Sequence, residues 1–540
     1  MNKIEKKILI MLVMAQFILT LDSTVMNVSI STLVVDLNTT VSGIQAAITF
    51  YTLIMAAFMI PGAKIGDIIG RKKAFMIGTV IYGTGSLITA LSPNLGVLIF
   101  GWSFLEGLGA ALMIPAMLSL IASNYPAGSK RVKAYATVAA IAAIGAAVGP
   151  IVGGVLTTYA TWRLAFLGEV LVVIYILLKG GVIKDSAVAN KVKSFDYLGT
   201  ILSASGLSVL ILGILKASTY GLLRARVPVV INGNEVISVG GISPTVILTI
   251  MGFGLLGLFA LWQNHRKKQS KAALVDLSLF KNKIVRAGTG TIFFQLLLLG
   301  GVMYGVSLYL QLELGYNAMK TGLTLLPLSV MILVLASRGD IMAKKYSSRA
   351  IIRAGFVLML IGSAWLGYKA SGNPDGLSFL PSLGLFGAGM GMMASQLQNV
   401  VQSSVKASES AETSGLMATF QYLGQSFGTA ISGVLVIAIF IGVGSNVVAQ
   451  NPDLNSSQKA QLTNVIETNP QLVSNEQIEQ ATAGLPESTA NTVEEINAQT
   501  RKSALSGMFV MLSVVSLFGL LATKNLPDTL DSKTKSTVVL

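Results

Sequence analysis

The chain has 540 residues, of which 53% are hydrophobic and only 12% are charged, and its mean hydropathy is +0.70. Soluble domains carry about 25% charged residues, so this composition indicates a protein that lies in lipid. The chain has no Cys and a single His, which excludes disulfides and thiolate metal sites and leaves little material for imidazole chemistry. We therefore predict neither a cofactor nor a metal site.

Apolar stretches long enough to cross a bilayer recur along the whole chain. Their lengths of about 20 residues suit α-helices, whereas the strands of a membrane barrel need only ~10 residues. The predicted spans lie at roughly 8–33, 46–65, 74–92, 96–122, 135–158, 164–183, 197–216, 244–263, 286–311, 321–337, 350–369, 377–399, 414–446 and 503–523. The sequence thus predicts an all-α polytopic membrane protein with about fourteen transmembrane helices.

The distribution of basic residues predicts how the chain is oriented. An even number of spans places both termini on one side of the membrane. About 30 of the 39 Lys and Arg residues fall on that side, for example in the clusters at 71–73 and 266–268. Because cytoplasmic loops are enriched in Lys and Arg, we expect a cell-membrane protein with both termini in the cytoplasm. The net charge of +15 then reflects an anionic bilayer leaflet and needs no nucleic acid to explain it.

Two of the connections predicted on the outer side are long. The segment 217–243 contains Asn232-Gly233 between apolar and β-branched residues, which predicts a small external β-hairpin. The segment 447–502 is polar and is interrupted by three prolines, and we expect either an external cap or a mobile loop there. A purely connecting role for both segments stays open. Glu313, near the outer end of the ninth span, is expected to be solvated.

Three acidic residues fall inside predicted spans. Asp22 lies in the first span, Glu106 in the fourth and Glu169 in the sixth. A carboxylate in hydrocarbon is unfavourable, so each is by default a candidate functional residue. We expect Asp22 and Glu106 to lie at a central cavity, where a carboxyl group can carry a proton or attract a cationic substrate. The alternative for Glu106 is a carboxyl group that burial keeps neutral.

The fifth predicted span contains a run of small residues at 145–154. Gly145, Gly149 and Gly153 recur every four residues, so they share one helix face on which another backbone can approach closely. Pro150 removes a helical hydrogen bond and favours a kink. A close and bendable contact suits a protein that moves between two conformations, although tight packing alone would also explain the spacing.

Together with the loop at 64–73, these patterns resemble the major facilitator superfamily, specifically its branch of fourteen-helix drug:proton antiporters. The run 21–28 around Asp22 is similar to the first-helix signature of that branch, and the run 145–154 is similar to a motif associated with exporters. The loop resembles the superfamily signature between the second and third helices. The resemblance covers nearly the whole chain.

The resemblance implies a domain organisation and a pair of gating residues. It implies a six-helix bundle at 1–195, two inserted helices with the external hairpin at 196–270, and a second six-helix bundle at 271–540 that includes the long outer loop. It also implies that Asp67 and Arg71 help to hold the cytoplasmic ends of the two halves together and separate during gating. An ordinary positively charged loop is the alternative for this pair.

The fourth span departs from the pattern that it resembles. Ser103 occupies the place of the usual Arg, and Glu106 occupies the place of the usual Gln. In the family that Arg is held to assist proton transfer, so its replacement leaves the course of a proton relay open. Glu169 likewise replaces a frequent Asn in the sixth span.

By this resemblance the chain is a secondary exporter of hydrophobic or cationic small molecules, driven by proton antiport through alternating access. Export of a single lipid or metabolite by the same scaffold is an alternative. A membrane receptor or enzyme is the alternative from another class, but the sequence has no HExxH, GxSxG or Walker motif. We expect a monomer whose partners are the substrate, protons and the bilayer.

Overall fold

The structure is a computed structural model that describes most of the chain. The described residues are 3–125, 129–185, 195–231, 234–269, 271–372, 374–406, 409–468, 470, 472–483 and 487–528. Helices dominate them. The α-helices are α1 Lys3–Val28, α2 Ile30–Asp36, α3 Val41–Ile69, α4 Arg71–Ala90, α5 Leu95–Leu98, α6 Gly107–Asn124, α7 Ser129–Tyr159, α8 Arg163–Lys179, α9 Tyr197–Tyr220, α10 Pro244–Lys268, α11 Lys283–Leu308, α12 Ala318–Ser337, α13 Gly339–Ala343, α14 Ser348–Ser371, α15 Leu380–Gln402, α16 Ser410–Gln450, α17 Ser456–Thr468, α18 Asn475–Thr482 and α19 Glu487–Ala522.

Shorter elements connect or extend these helices. Two segments, Ile99–Glu106 and Tyr309–Glu313, are π-helical and continue α5 and α11. The 3₁₀ turns are Gly180–Val182, Leu277–Lys281, Gly376–Phe379 and Thr523–Asn525.

The helices are long and apolar enough to make this a multi-pass membrane protein. Among the described residues, twelve helical stretches could each cross a bilayer, and the bent helix α7 raises the number to thirteen. Helix α4 occupies the predicted span at 74–92, so the architecture is compatible with fourteen spans, and that number stays a prediction.

Side-chain caps set where many of these helices begin. The Thr40 side chain accepts a hydrogen bond from Gly43 N at the start of α3, and Asn317 accepts one from Lys320 N at the start of α12. Asp196 does the same for Gly199 N at the start of α9. Each cap satisfies a backbone N–H that the first helical turn leaves without a partner.

The helices pack as two groups. Helices α1, α3, α4, α6, α7 and α8 contact one another, and α11, α12, α14, α15, α16 and α19 form a second group. Between them in sequence, α9 and α10 pair with each other, and α9 also lies against α3 and α16. We call the two groups the first and second bundles. Their contacts run through α7 with α12 and through α3 with α16.

The strands lie between α9 and α10. Strand β1, Val229–Ile231, pairs antiparallel with β2, Asn234–Ile237. The structure therefore has a two-stranded hairpin where the sequence predicts one. The Asn232-Gly233 pair itself lies outside the described residues.

The segment 447–502 contains helices α17 and α18 and the first turns of α19. It lies on the same face of the molecule as the α2–α3 connection and the end of α9, because Thr40, Ser218 and Gln477 line one cavity of about 250 Å³. We call this face the cap face, and the described part of 447–502 the cap. The choice between an external cap and a mobile loop stays a prediction.

A buried arginine anchors the cap to the second bundle. Arg501 is fully buried and donates to the Glu313 carboxylate at 2.8 Å. It also donates to the Val473 carbonyl at 2.6 Å and to Asn475 Oδ1 at 2.6 Å. The expectation that Glu313 is solvated is therefore wrong, because the cap covers it and supplies a cationic partner that lies far away in sequence.

Candidate functional site

The structure brings three carboxyl groups of the first bundle together inside the protein. Asp22 of α1, Glu106 at the end of the π-helical segment and Glu169 of α8 each offer a carboxylate oxygen, and these oxygens lie within 4.8 Å of one another. All three side chains are buried, with at most 2% of each residue exposed. Sequence analysis singled out these residues separately, and the fold makes them one cluster, which we call the carboxyl cluster.

An indole and a phenol connect Asp22 to the centre of the molecule. Trp102 donates its Nε1–H to Asp22 Oδ1 at 2.7 Å. The Trp102 ring stacks on Tyr51 of α3, with ring centroids 4.9 Å apart and planes 10° from parallel. Asp22 Oδ2 and the Tyr51 hydroxyl have no hydrogen-bond partner among the described residues.

Helix α4 supplies the hydrogen-bond donors of Glu169. Tyr82 and Ser86, one turn apart on α4, donate to Glu169 Oε2 at 3.2 and 3.1 Å. The other oxygen of Glu169 and both oxygens of Glu106 have no described partner. The cluster therefore holds several buried acceptor atoms that lack donors, which is uncommon in folded proteins.

A close approach of two backbones positions Glu106. A Cβ atom at Gly85 of α4 would lie 2.6 Å from the Gly101 carbonyl and 2.8 Å from Glu106 N. Only a residue without a side chain fits at this contact. The segment that ends at Glu106 is π-helical, and π-turns inside α-helices often occur at functional sites because they redirect side chains.

The chemistry of the cluster follows from charge repulsion. Three carboxylates this close in a buried site cannot all be ionised unless a cation compensates them, because like charges repel strongly in a low dielectric. The cluster can therefore bind protons or a hard cation, for which carboxylate oxygens are suitable ligands. In both cases the net charge of the carboxyl cluster depends on whether a proton or a cation is bound.

A central cavity of about 260 Å³ lies between the two bundles. Among the described residues that line it, none carries a formal charge, and many carry amide or hydroxyl groups, such as Gln16, Thr24 and Gln425. Tyr51 also lines this cavity. Asp22 and Glu106 are buried beside the cavity and are not lining residues, so Tyr51 and Trp102 connect the carboxyl cluster to it.

The glycines of α7 allow close contact with α1. A Cβ atom at Gly145 would lie 3.1 Å from Thr20 Cβ, and one at Gly153 would lie 3.0 Å from Val25 Cα. At Gly149 it would collide with the Thr24 hydroxyl. All three glycines thus face α1, as one helix face with this spacing requires.

Pro150 frees a backbone carbonyl of α7 at the interface between the bundles. Helix α7 bends by 43° between Lys133–Ala146 and Val148–Tyr159. A proline has no N–H to donate to the carbonyl four residues earlier, which here is that of Ala146. Ser329 of α12 donates its hydroxyl to this carbonyl at 3.3 Å. The second bundle therefore contacts the backbone atom that the proline leaves free.

Hydrogen bonds close the cap-face half of the interface. Gln311 accepts from Ser31 N at 2.8 Å and donates to the Asn27 carbonyl at 3.3 Å. Gln45 donates to the Thr429 carbonyl at 3.0 Å. Asn27 lies at the end of α1, Ser31 lies in α2 and Gln45 lies in the second turn of α3, so these contacts lie toward the cap face. In this structure the bundles are joined there.

Asp67 and Arg71 lie at the junction of α3 and α4, at the opposite end from the cap face. Arg71 forms an ion pair with Asp67 one turn away and donates to the Ala63 carbonyl at 3.1 Å. These partners all belong to the first bundle. The implied role in holding the two bundles together therefore stays a proposal.

A second ionic group lies on the cap face. Asp36, at the end of α2, accepts from Trp162 Nε1 at 2.9 Å and forms an ion pair with Arg163. Partial burial raises the pKa of Asp36, but the hydrogen bonds from Arg163 and Trp162 outweigh it, and the pKa lies below its ordinary value. Arg163 also donates to the Ser92 carbonyl at 2.8 Å, so this group joins α2, α8 and the end of α4.

Sequence analysis missed the partners of the carboxyl cluster. Trp102 precedes Glu106 by one helical turn, and Tyr82 and Ser86 share one face of α4. This spacing was available from the sequence. Aromatic and hydroxyl residues are common in membrane helices, however, and only the packing shows that these contact a carboxylate. Ser103, in place of the family's arginine, donates to the Ala47 carbonyl at 2.8 Å.

The chain is similar to a family of transporters and to several of its named members. A family model described as Major Facilitator Superfamily matches residues 12–429. A probable actinorhodin transporter of Streptomyces coelicolor is 27% identical over 82% of this chain and 74% of its own length. Multidrug resistance protein Stp of Mycobacterium tuberculosis is 24% identical over 81% of this chain and 77% of its own. The tetracenomycin C resistance and export protein of Streptomyces glaucescens is 27% identical over 77% and 73%.

Solved structures resemble the fold. The crystal structure of a bacterial homolog to the human lysosomal transporter Spinster, inward-facing and unoccupied, aligns with a TM-score of 0.63 at 11% identity, over 97% of this chain and 98% of that one. A D-xylose-proton symporter aligns with a TM-score of 0.57 at 14% identity, over 97% and 98%. At these identities the likeness shows the fold alone.

Proposed function

Because this chain belongs to the major facilitator superfamily, we propose that it exports hydrophobic or cationic small molecules in exchange for protons. The chain is a multi-pass membrane transporter of small molecules and not an enzyme. The names of its relatives support the direction of transport, since they include a tetracenomycin C resistance and export protein and a multidrug resistance protein. The coupling ion, the substrate and the direction are our proposals.

The carboxyl cluster is the observation on which proton coupling rests. Three buried carboxyl groups lie within reach of one another, beside a cavity between the two bundles. A proton bound to the cluster removes a charge that would otherwise require a cation. A proton and a cationic substrate can therefore compete for the same negative charge, and competition of this kind produces antiport.

The cavity lining supports the choice of substrate. Its amide and hydroxyl groups can hydrogen-bond an uncharged molecule, while residues such as Met55 and Met303 offer adaptable apolar surface. A cationic substrate would be attracted by the ionised cluster through the Tyr51 side of the cavity. The volume of about 260 Å³ is below the ~300–1,000 Å³ typical of small-molecule sites, so we expect the cavity to widen when the bundles move apart.

The position of the contacts between the bundles supports alternating access. With the bundles joined at the cap face, opening of that face requires the Gln311 and Gln45 hydrogen bonds to break. We propose that Asp67 and Arg71, together with the bend at Pro150 and the α1–α7 contact at Gly145, take part in this change. The termini would be cytoplasmic and the cap face external. At 100 mV each charge that crosses supplies about 2.3 kcal/mol, enough for an outward ratio of about fiftyfold.

The test is efflux of a fluorescent cation from vesicles energised by a proton gradient. Asp22→Asn, Glu106→Gln and Glu169→Gln each remove a titratable group and keep the shape of the side chain. We expect loss of gradient-driven efflux in at least one of these variants, with normal folding. Glu467→Gln, on the exposed face of α17, is the matched control and should transport normally. Full transport by all three cluster variants would refute proton coupling at this site.

A dedicated exporter of one lipid or metabolite is the second candidate. It uses the same scaffold and the same cluster, so the cluster variants do not distinguish it. A panel of unrelated dyes and quaternary ammonium compounds distinguishes a multidrug exporter from a dedicated one. We expect several of them to be expelled in a gradient-dependent way, whereas a dedicated exporter would expel none or one.

A further inference from the structure

The cap contains an apolar pocket that the proposed transport mechanism does not use. The pocket has a volume of about 270 Å³ and lies between the end of α16, helices α17 and α18, and the first turns of α19. Phe440, Leu462, Ile466 and Ile496 form much of its wall. It shares no described lining residue with the central cavity.

Two polar side chains in this pocket lack partners. Asn497 and Thr500 of α19 line the pocket and are only 8% and 1% exposed. Neither Asn497 Nδ2 nor Thr500 Oγ1 has a hydrogen-bond partner among the described residues. They are three residues apart and so share one face of the helix. Buried polar atoms without partners are uncommon, because burial removes their hydrogen bonds to water.

The cap is held so that the pocket is preformed. Arg501, next to Thr500 in the chain, is not among the described lining residues and binds Glu313, Val473 and Asn475. Since Val473 also lines the pocket, this anchor fixes one wall relative to α19. Among the described lining residues none is charged. A preformed apolar pocket with a few convergent polar groups is typical of sites for small ligands.

We propose that this pocket is a second binding site, for an uncharged aromatic or aliphatic molecule that carries a hydrogen-bond acceptor. The apolar wall excludes ionic ligands, and the volume limits the ligand to about the size of two fused rings. The acceptor receives a hydrogen bond from Asn497 Nδ2, and the Thr500 hydroxyl donates to it or accepts from the ligand. The site is separate from the transport cavity and does not depend on the proposed antiport.

A cysteine-protection experiment tests the site on the full-length protein. Because the chain has no Cys, Val465→Cys creates a single thiol at a pocket-lining position that is 57% exposed. The probe is 6-propionyl-2-(dimethylamino)naphthalene, an uncharged ketone. We expect it to slow maleimide labelling of this thiol about fivefold or more, as one or two hydrogen bonds and apolar contacts would allow. Ser457→Cys, an exposed position on the same helix outside the pocket, is the control and should be labelled at an unchanged rate.

Further variants separate specific binding from partition of the probe. In the Val465→Cys background, Asn497→Leu with Thr500→Val should require about five- to tenfold more probe for the same protection. If the double variant does not show a normal melting transition, Thr500→Val alone replaces it in this test. 2-Ethylnaphthalene, which lacks the acceptor, should protect more weakly than the ketone. Equal protection at positions 457 and 465, equal protection by both probes, or no effect of the polar substitutions would each overturn the proposal. Because no transport is measured, the result is independent of the proposed function.

Discussion

Trp102 and Asp22 are joined by a hydrogen bond of 2.7 Å from the indole Nε1–H to the carboxylate, although 80 positions separate them in the chain. The Trp102 ring also stacks on Tyr51, and Tyr51 lines the central cavity. One side chain therefore contacts both the buried acid and the wall of the cavity. We expect a change at either of them to reach the other through this side chain.

We expect Trp102→Phe to lower gradient-driven efflux about tenfold or more. The substitution keeps an aromatic ring but removes the donor to Asp22, and a hydrogen bond to a charged group contributes about 1.5–3 kcal/mol. Efflux by vesicles and the melting temperature of the purified protein are the measurements. Trp365→Phe, at a partly exposed tryptophan of α14, is the matched control. If both variants transport like the parent protein, the indole N–H has no role in coupling.

Gly149→Val should destabilise the protein, because the added side chain would collide with Thr24 of α1. Overpacking of this kind destabilises by about 1–3 kcal/mol, so we expect a lower melting temperature and reduced efflux. Gly168→Val on α8 is the control, since no described atom beyond the adjacent residues and the backbone of the same helix lies within 4 Å of a Cβ built there. Equal melting temperatures for the two variants would show that α1 and α7 do not need this contact.

Gln311→Ala should favour opening of the cap face. It removes the hydrogen bonds to Ser31 N and the Asn27 carbonyl, which together contribute about 1–3 kcal/mol. Spin labels on cysteines at Val35 and Leu377, both exposed, report the distance between the bundles. We predict a shift toward longer distances. Gln450→Ala, whose partner Asn446 lies in the same helix, should leave the distribution unchanged, and an unchanged distribution in Gln311→Ala would contradict this account of closure.

The Asp36 group predicts how stability depends on pH. The folded-state pKa of Asp36 lies below its ordinary value, which is about 3.9. Its contribution to stability is therefore present above about pH 3.9 and disappears as the pH falls through the lowered pKa. Asp36→Asn should lower the melting temperature at neutral pH, and the difference from the parent protein should shrink in acid. A difference that stays constant or grows in acid would show that the ion pair with Arg163 is not its cause.

Much of the fold could be predicted from the sequence because the bilayer imposes a simple rule. A helix that crosses lipid must be about 20 residues long and apolar, so α1, α3 and α11 are visible as hydrophobic runs. The hairpin was predictable because Asn232-Gly233 suits a tight turn. Glycines at intervals of four residues in α7 predicted a contact face, and that face lies against α1.

The site was predictable only in part, because its geometry is made by packing between helices that are distant in sequence. Asp22, Glu106 and Glu169 were identified from their unfavourable positions in hydrocarbon, but nothing in the sequence shows that they meet. Nothing in the sequence shows that Glu313 meets Arg501 either, because the two lie 188 positions apart. The spacing of residues along a helix shows which of them share a face, but it does not show which other helix packs against that face.

The measurement that tests the central claim most directly is proton release when a transported fluorescent cation is added to the purified protein in weakly buffered solution. We predict release by the parent protein, little or none by the variant with Asp22→Asn, Glu106→Gln and Glu169→Gln, and no requirement for Na⁺. Equal release by the parent and the variant would contradict a role of the carboxyl cluster in coupling. Binding without any proton release by the parent protein would contradict proton antiport itself.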